Sequence, residues 1–135
     1  MQTPKLFMLL PEAYVSTPDG MEIDSEGNLI LSCPNFADMS MPSCVLKIGK
    51  DKSVRKWFDV PVNLETGEAR SMGIAFGPDG DLYIIDNPGW TGRPDLTFTG
   101  RVLRVRMDGD KIVKTTVVAD HMEHPNGIRI KGEHM

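Results

Sequence analysis

The sequence lacks an excess of positive charge and any long hydrophobic run. Its 15 lysine and arginine residues are outnumbered by 19 aspartate and glutamate residues, which gives a net charge of -4. Because binding to phosphate-rich surfaces depends on clustered cations, neither nucleic acid nor a membrane surface is an expected partner. The longest apolar stretch, residues 6–10, is too short to cross a bilayer or to form a signal peptide. We therefore expect a soluble chain, whose compartment (cytoplasmic, periplasmic or secreted) the sequence leaves open.

Cysteine is nearly absent, since Cys33 and Cys44 are the only two. They stand eleven residues apart and either bridge the two ends of one loop in an oxidising compartment or remain free thiols. The sequence has no CxxC pair and no histidine at ligand spacing from them, which argues against a zinc site.

Helical periodicity is also absent, and the chain is instead built from repeated units. Residues 19–31 (DGMEIDSEGNLIL) recur as residues 72–84 (MGIAFGPDGDLYI), and the opening recurs as residues 126–130 (NGIRI), at offsets of 53 and 54 residues. A second block agrees, because residues 45–48 (VLKI) match residues 102–105 (VLRV) at an offset of 57. Two blocks in the same order at similar offsets indicate copies of one structural unit.

Each unit has the pattern of four antiparallel strands. An apolar run leads to a glycine turn, at Gly27 or Gly80, where a positive φ is easily adopted, and a second apolar run follows. A longer loop then precedes the third strand, and a short turn separates the third strand from the fourth. The third strands are predicted near residues 44–48 and 101–107, and the fourth near 53–60 and 112–119. Four strands in a unit of about fifty residues are typical of a β-propeller blade.

The sequence therefore predicts an all-β fold, a β-propeller of four-stranded antiparallel blades, of which this chain supplies about two and a half. Residues 6–10 before Pro11 resemble residues 57–60 before Pro61, which predicts an outer strand of a preceding blade. Met135 falls inside a hairpin, so we expect the remaining blades from a longer natural chain or from other chains. The predicted segments are residues 1–18 (outer strand and linker), 19–60 (blade), 61–71 (linker), 72–119 (blade) and 120–135 (start of the next blade).

Propeller geometry predicts which face carries function. The innermost strand of each blade lines the central channel, and the loop leading into it shares a face with the loop between the second and third strands. The inner strands begin at Asp19, Met72 and Asn126, with Ser71 and His124 beside them. The neighbouring loops are residues 33–43 and 86–99. Because binding and catalysis concentrate on loops over a rigid scaffold, we expect the site on this face.

The hairpin of residues 73–83 (GIAFGPDGDLY) and the segment 124–128 (HPNGI) resemble the senescence marker protein, gluconolactonase and paraoxonase group. Members are six-bladed propellers that bind calcium at the channel mouth and hydrolyse lactones or related esters. The resemblance covers essentially the whole chain, as the first part of such a protein. It implies that Asp19 stands where the family has a metal-binding glutamate and Asn126 where it has a ligand asparagine. Asn87 stands where paraoxonase-like members carry a histidine near the substrate.

The implied metal site would be incomplete in this chain. Calcium takes about six to eight oxygen ligands, whereas Asp19 and Asn126 supply only two. The bound ion is expected to be calcium or another divalent cation. A bound ion would polarise the carbonyl of a lactone or ester and lower the pKa of a bound water. The resemblance implies that the remaining ligands and the catalytic aspartate lie beyond Met135, so the catalytic residues are unknown and the chain by itself is expected to be inactive. Asn87 cannot act as a general base, which argues against paraoxonase-type chemistry and for a role in binding or solvation.

Each candidate residue also has a simpler interpretation. Asp19 and Asn126 both precede a glycine, and such pairs are common turns; Asp19 is also one methylene shorter than the family's glutamate. Trp90 either covers a ligand or packs against a neighbouring loop, and His124 suits a solvated loop as well as a pocket. The residues predicted to line a substrate pocket are Asn87, Trp90, His124 and Ser71.

Three functions are consistent with the sequence. The first is part of a calcium-dependent lactone or ester hydrolase of the gluconolactonase-like propeller family. The second is a non-enzymatic propeller that binds protein or carbohydrate partners. The third is a structural building block whose copies assemble into a ring.

Overall fold

The computed structural model describes residues 3–132, which form two four-stranded antiparallel sheets with strands in chain order. The first sheet contains β1 (Met21–Ile23), β2 (Leu29–Cys33), β3 (Cys44–Ile48) and β4 (Val54–Asp59). The second contains β5 (Ser71–Phe76), β6 (Leu82–Asp86), β7 (Gly100–Asp108) and β8 (Lys111–Met122). Two short 3-10 helices, Pro88–Thr91 and Pro94–Leu96, lie in the loop between β6 and β7. The predicted all-β fold is confirmed.

The structure differs from the predicted strands at residues 6–10, at residues 126–130 and in the length of β8. Residues 6–10 and residues 126–130 carry no strand assignment, although Lys131 forms an isolated bridge. Strand β8 is longer than predicted and reaches Met122 because it stays paired with β7 through three register shifts. The outermost residues of the predicted segments, 1–2 and 133–135, lie outside the described part of the chain. Within residues 3–132, no helix has the length and apolar character needed to span a bilayer.

The hairpin turns of the two sheets have the same geometry. Gly27 and Gly80 take φ values of 81° and 80°, a region in which a side chain would be strained. Their N–H groups donate to Asp24 O at 2.9 Å and to Gly77 O at 3.0 Å. The sequence repeat at an offset of 53 therefore corresponds to a repeat in backbone structure.

The first turn is reinforced by Asp24, whose carboxylate accepts the Asn28 N–H at 2.8 Å and lies 2.9 Å from Lys47 Nζ. Burial opposes its ionisation, but bonds from Lys47 and Asn28 outweigh this and lower the pKa to about 2. We expect Asp24→Ala to reduce the free energy of unfolding by about 1–2 kcal/mol at pH 7. A carboxyl with a lowered folded pKa stabilises above its unfolded pKa of about 3.9. The difference should therefore fade as the pH falls towards 2.

Urea unfolding between pH 2 and pH 7 tests this prediction. Asp108→Ala, at the exposed tip of the β7–β8 hairpin, is the control and should match the parent chain. A loss for Asp24→Ala that is the same at pH 2 and pH 7 would contradict the proposed ionic contribution.

The two sheets pack face to face through alternate residues of their strands. Ile30 and Val45 of the first sheet are fully buried against the second, and so are Ile84 and Leu103 on the opposing face. Because side chains of a strand alternate between faces, the neighbouring residues form an outer apolar layer on each sheet. These outer residues are Leu31, Cys33, Cys44, Leu46 and Ile48 on the first sheet, and Met72, Ile85 and Val102 on the second.

Glycines at equivalent positions allow the inner strands to approach closely. A Cβ atom on Gly20 would lie 2.6 Å from Met72 O, and one on Gly73 would lie 2.6 Å from Asn126 O. The Gly73 N–H donates to the same Asn126 carbonyl at 2.8 Å. One backbone contact is therefore repeated from Gly20 to Gly73 and from Gly73 to Gly127. A Cβ atom on Gly127 would meet no described atom within 4 Å.

The N-terminal segment covers the outer face of the first sheet. Met8, Leu10 and Val15 pack against the outer apolar layer of that sheet. Lys52, in the β3–β4 turn, donates to Phe7 O at 3.1 Å and lies 4.5 Å from the centre of its ring. The second sheet is contacted in a similar way, since Trp57 of β4 donates to Gly109 O in the β7–β8 turn at 3.2 Å, and Arg55 pairs with Asp110 at 2.7 Å. Phe7 thus contacts the β3–β4 turn as β4 contacts the β7–β8 turn.

Candidate functional site

The candidate site lies at the end of the sheets where β1 and β5 begin. Ser71, at the start of β5, pairs in register with Asp86, at the end of β6. The Asn87 N–H then donates to Arg70 O at 2.8 Å. Loops 34–43 and 87–99 leave β2 and β6 at this same end, together with residues 60–70 that connect the two sheets. The β-turns that contain Gly27 and Gly80 lie at the opposite end.

Asp19, Met72 and Asn126, which precede the three equivalent glycines of the inner strands, differ in burial. Asp19 is exposed, although partial burial raises the pKa of its carboxyl, and its N–H donates to Ser32 O at 2.9 Å. Met72, at the equivalent position of the second unit, is buried. The Asn126 side chain is exposed, while its carbonyl is fixed by Gly73. Two oxygen-bearing side chains therefore occupy the first and third positions, with a thioether between them.

Asn87 is joined directly to the segment that contains Asn126. Its side-chain Nδ2 donates to Pro125 O at 2.9 Å, and the side chain is fully buried. Its Oδ1 has no hydrogen-bond partner among the described residues. Asn87 thus fixes the backbone between His124 and Asn126, a contact that the sequence did not predict.

The other predicted pocket residues lie in different surroundings. Ser71 is buried, and its Oγ lies 2.9 Å from Ser43 Oγ. Trp90 is about half exposed on the first 3-10 helix, where its N–H donates to Asn87 O at 3.3 Å. His124 is exposed with a φ of 48°. Asn87 is therefore bonded to the backbone of Trp90 and to the residue that follows His124, whereas the hydroxyl of Ser71 is turned towards the interior.

A buried charged network supports this end of the sheets. The Asp86 carboxylate accepts the Arg70 N–H and lies 2.7 Å from Arg101 Nε. Burial raises the pKa of Asp86, and the two arginines act against that rise. Arg101 also donates to Pro61 O at 2.7 Å. The network thus links the segment between the sheets to both β6 and β7.

Arg70 connects the network to the β2–β3 loop. Its guanidinium donates to three backbone carbonyls of that loop, those of Pro34, Met39 and Met41, at 3.0–3.1 Å. Its Nε is buried without a partner among the described residues. In the sequence, Arg70 and Asp86 are visible only as charged residues at the ends of apolar strands. Charged residues are equally common at solvated strand ends, so this pattern did not predict a buried network.

The described residues offer only part of a metal site. Within residues 3–132, no three histidine, cysteine, aspartate or glutamate side chains are grouped to hold an ion. A carboxylate and an amide oxygen suit calcium, but the thioether of Met72 between them does not. The Asp19 carboxylate and the Asn126 amide oxygen are of the ligand types that calcium accepts, and together they are fewer than the about six it needs.

A groove of about 340 Å³ opens beside the network, between residues 39–43 and residues 60–70. Its walls include the apolar side chains of Met39, Val60 and Val62. Further exposed apolar side chains lie on the loops at this end, namely Leu64, Trp90 and Phe98. This end of the molecule is therefore rich in surface that a ligand or partner could cover.

Comparison with known proteins adds no relative. No family model matches the sequence, and no curated protein is similar to it.

Proposed function

We propose that the two sheets are consecutive blades of a β-propeller that carries a calcium-dependent lactone or ester hydrolase site of the gluconolactonase-like type. The observation that carries the proposal is the repeated contact of Gly20 on Gly73 and of Gly73 on Gly127. When identical units are related by rotation about one axis, each unit makes the same contact with the unit that follows it. The backbone of the residues heading each unit, Asp19, Met72 and Asn126, would then lie close to that axis.

Two further observations favour blades over a closed two-sheet sandwich. Both faces of both sheets carry apolar residues, as expected of sheets with neighbours on either side. Residues 6–10 contact the first sheet as β4 contacts the second, so they suit the outer strand of a preceding blade. Two sheets cannot close a ring, and further blades from a longer chain or from other copies would complete it.

The chemistry would depend on a cation held at the axis. Asp19 and Asn126 would supply two oxygen ligands, and Asn87 would position Asn126 through Pro125. The cation would act as a Lewis acid on the carbonyl of a lactone or ester. The remaining ligands and the catalytic base would come from other blades.

Lactone hydrolysis by the complete ring tests this function. We expect activity towards aliphatic lactones that is lost on adding a chelator and restored by calcium. Asp19→Ala and Asn126→Ala should each reduce kcat/KM by about 100-fold or more, because each removes a metal ligand. Asp108→Ala, at the opposite end of the sheets, should retain full activity.

Three results would overturn the proposal. One is hydrolysis that is unaffected by a chelator. Another is full activity in Asn126→Ala with calcium affinity unchanged. A third is a complete ring that neither binds calcium nor hydrolyses any lactone or ester tested.

The third result would favour a propeller that binds partners without catalysis. The groove of residues 39–43 and 60–70 supports this second candidate, as do the exposed Trp90 and Phe98 on a loop at the same end of the sheets. Binding to a partner that is weakened by Trp90→Ala, with no effect of calcium, would establish it.

A further inference from the structure

The two cysteines lie directly opposite each other on adjacent strands. Cys33, the last residue of β2, pairs in register with Cys44, the first residue of β3. Both are free thiols, and both are buried in the outer apolar layer of the first sheet. Directly opposed residues place their side chains on the same face of the sheet. The residues between them form the loop 34–43, so a bond between the thiols would close both ends of that loop.

A polypeptide strap covers the thiols. Cys44 Sγ donates to Tyr14 O at 3.5 Å, and Asn35 Nδ2 donates to the same carbonyl at 3.0 Å. The Asn35 Oδ1 also accepts the N–H of Ser16 at 3.0 Å. Asn35 can therefore keep the strap in place when the thiol proton of Cys44 is lost. Small oxidants would reach the thiols when the strap, residues 14–17, opens locally.

The interaction between the two thiols favours ionisation of one of them at a time. Interaction with the Cys33 thiol lowers the pKa of Cys44, against the opposing effects of burial and of the Asp59 carboxylate. The same interaction raises the pKa of Cys33. Because the thiolate is the nucleophile in exchange with a disulfide, Cys44 is the residue expected to react first.

We propose that Cys33 and Cys44 form a reversible dithiol–disulfide pair that responds to small-molecule disulfides such as glutathione disulfide. The Cys44 thiolate attacks one sulfur of the oxidant, which forms a mixed disulfide and releases one glutathione thiolate. Cys33 then loses its proton and attacks Cys44 Sγ, which forms the internal disulfide and releases the second glutathione. The protein loses two electrons and two protons, and one glutathione disulfide becomes two glutathione molecules.

Closing the disulfide would require the two strands to draw slightly together at Cys33 and Cys44. Opposed residues in an antiparallel sheet have Cβ atoms about 4.5–5.5 Å apart, whereas a relaxed disulfide has them about 3.8 Å apart. Oxidation would restrict loop 34–43, whose carbonyls accept hydrogen bonds from Arg70 and whose Ser43 hydroxyl accepts the Ser71 N–H. The pair thus couples the redox state to the end of the sheets where the candidate site lies.

Intact-mass measurement of the chain, equilibrated with glutathione and glutathione disulfide at several ratios, tests the proposal. We expect the mass to fall by that of two hydrogen atoms as the disulfide fraction rises, and to return when excess glutathione is added. Amide exchange in loop 34–43 should be slower in the oxidised form. Cys33→Ser should accumulate a mixed disulfide at Cys44, and Cys44→Ser should do so more slowly.

The variants separate the proposal from its alternatives. An oxidised chain that resists excess glutathione would be a permanent structural disulfide and would overturn reversibility. A chain that stays reduced at the highest ratio of glutathione disulfide, or that forms only disulfide-linked dimers, would overturn the internal pair. Equal reactivity of the two serine variants would contradict the order of attack.

Discussion

Replacing Gly73 by alanine is expected to reduce the free energy of unfolding by about 3 kcal/mol. The new methyl group would lie 2.6 Å from Asn126 O and 3.0 Å from Gly127 Cα. Both neighbours are backbone atoms, so the clash cannot be relieved by a side-chain rotation. Gly20→Ala should cost a similar amount, because its methyl group would meet Met72 O and Gly73 Cα in the same arrangement.

Gly127→Ala is the matched control for this prediction. It makes the same substitution at the third equivalent position, where a Cβ atom meets nothing described within 4 Å. Its stability in urea should lie within about 0.5 kcal/mol of the parent chain. In the complete ring, however, Gly127→Ala should become as costly as Gly73→Ala, because the next unit would pack against it. Equal stabilities of the Gly73 and Gly127 variants in this chain would contradict the close backbone contact.

The second large effect is expected for Arg101→Met. This change removes the guanidinium that lies 2.7 Å from the buried Asp86 carboxylate, and leaves the Arg70 N–H as a hydrogen-bond donor. A buried charge that loses its partner typically costs about 3–5 kcal/mol. We therefore expect the free energy of unfolding at pH 7, as measured by urea unfolding, to fall by about this amount. Arg55→Met, which breaks an exposed pair with Asp110, is the control and should cost about 0.5 kcal/mol or less.

The loss should depend on pH in a defined direction. The pKa of Asp86 is already raised by burial in the parent chain, and the loss of Arg101 should raise it further. A carboxyl with a higher pKa in the folded chain binds protons preferentially there, so its ionisation costs stability once the pH exceeds the unfolded value of about 3.9. The deficit of Arg101→Met should therefore shrink as the pH is lowered towards 4. A deficit that is independent of pH, or that Asp86→Asn in the same background does not reduce, would contradict a buried charge.

The strands and turns could be predicted from sequence because their signals are local. Each hairpin has a glycine at the one turn position that needs a positive φ, and the strands on either side are short apolar runs. Both strand pairs in each unit were placed within a few residues by these signals. The repeated spacing also predicted that Gly20, Gly73 and Gly127 head equivalent segments, and the close contacts between them agree with it.

The buried network could not be predicted in the same way. Asp86 meets Arg70 and Arg101 across 16 and 15 residues of sequence, and the contacts depend on the register of three strands. The segment of residues 126–130 illustrates a second limit. A strand needs a hydrogen-bonded partner strand, and none is assigned to residues 126–130 among residues 3–132.

The end of the sheets that carries the candidate residues could be predicted from the strand order, whereas the contacts between those residues could not. The shared end of the loops follows from the order of strands in the sheet, so Asn87 and the segment around Asn126 were expected near each other. Their direct connection through Pro125 O depends on a side-chain orientation that no sequence pattern specifies. The inward orientation of Ser71 towards Ser43 depends likewise on the packing of the two sheets.

A crystal structure of the complete ring grown with calcium is the most direct test of the proposed rotation of units about one axis. We expect a cation close to that axis, with Asp19 and Asn126 among its ligands, and a following backbone segment against Gly127 in the position that Asn126 takes against Gly73. A structure in which Gly127 remains open to solvent, with Asp19 and Asn126 directed away from any shared centre, would contradict the account.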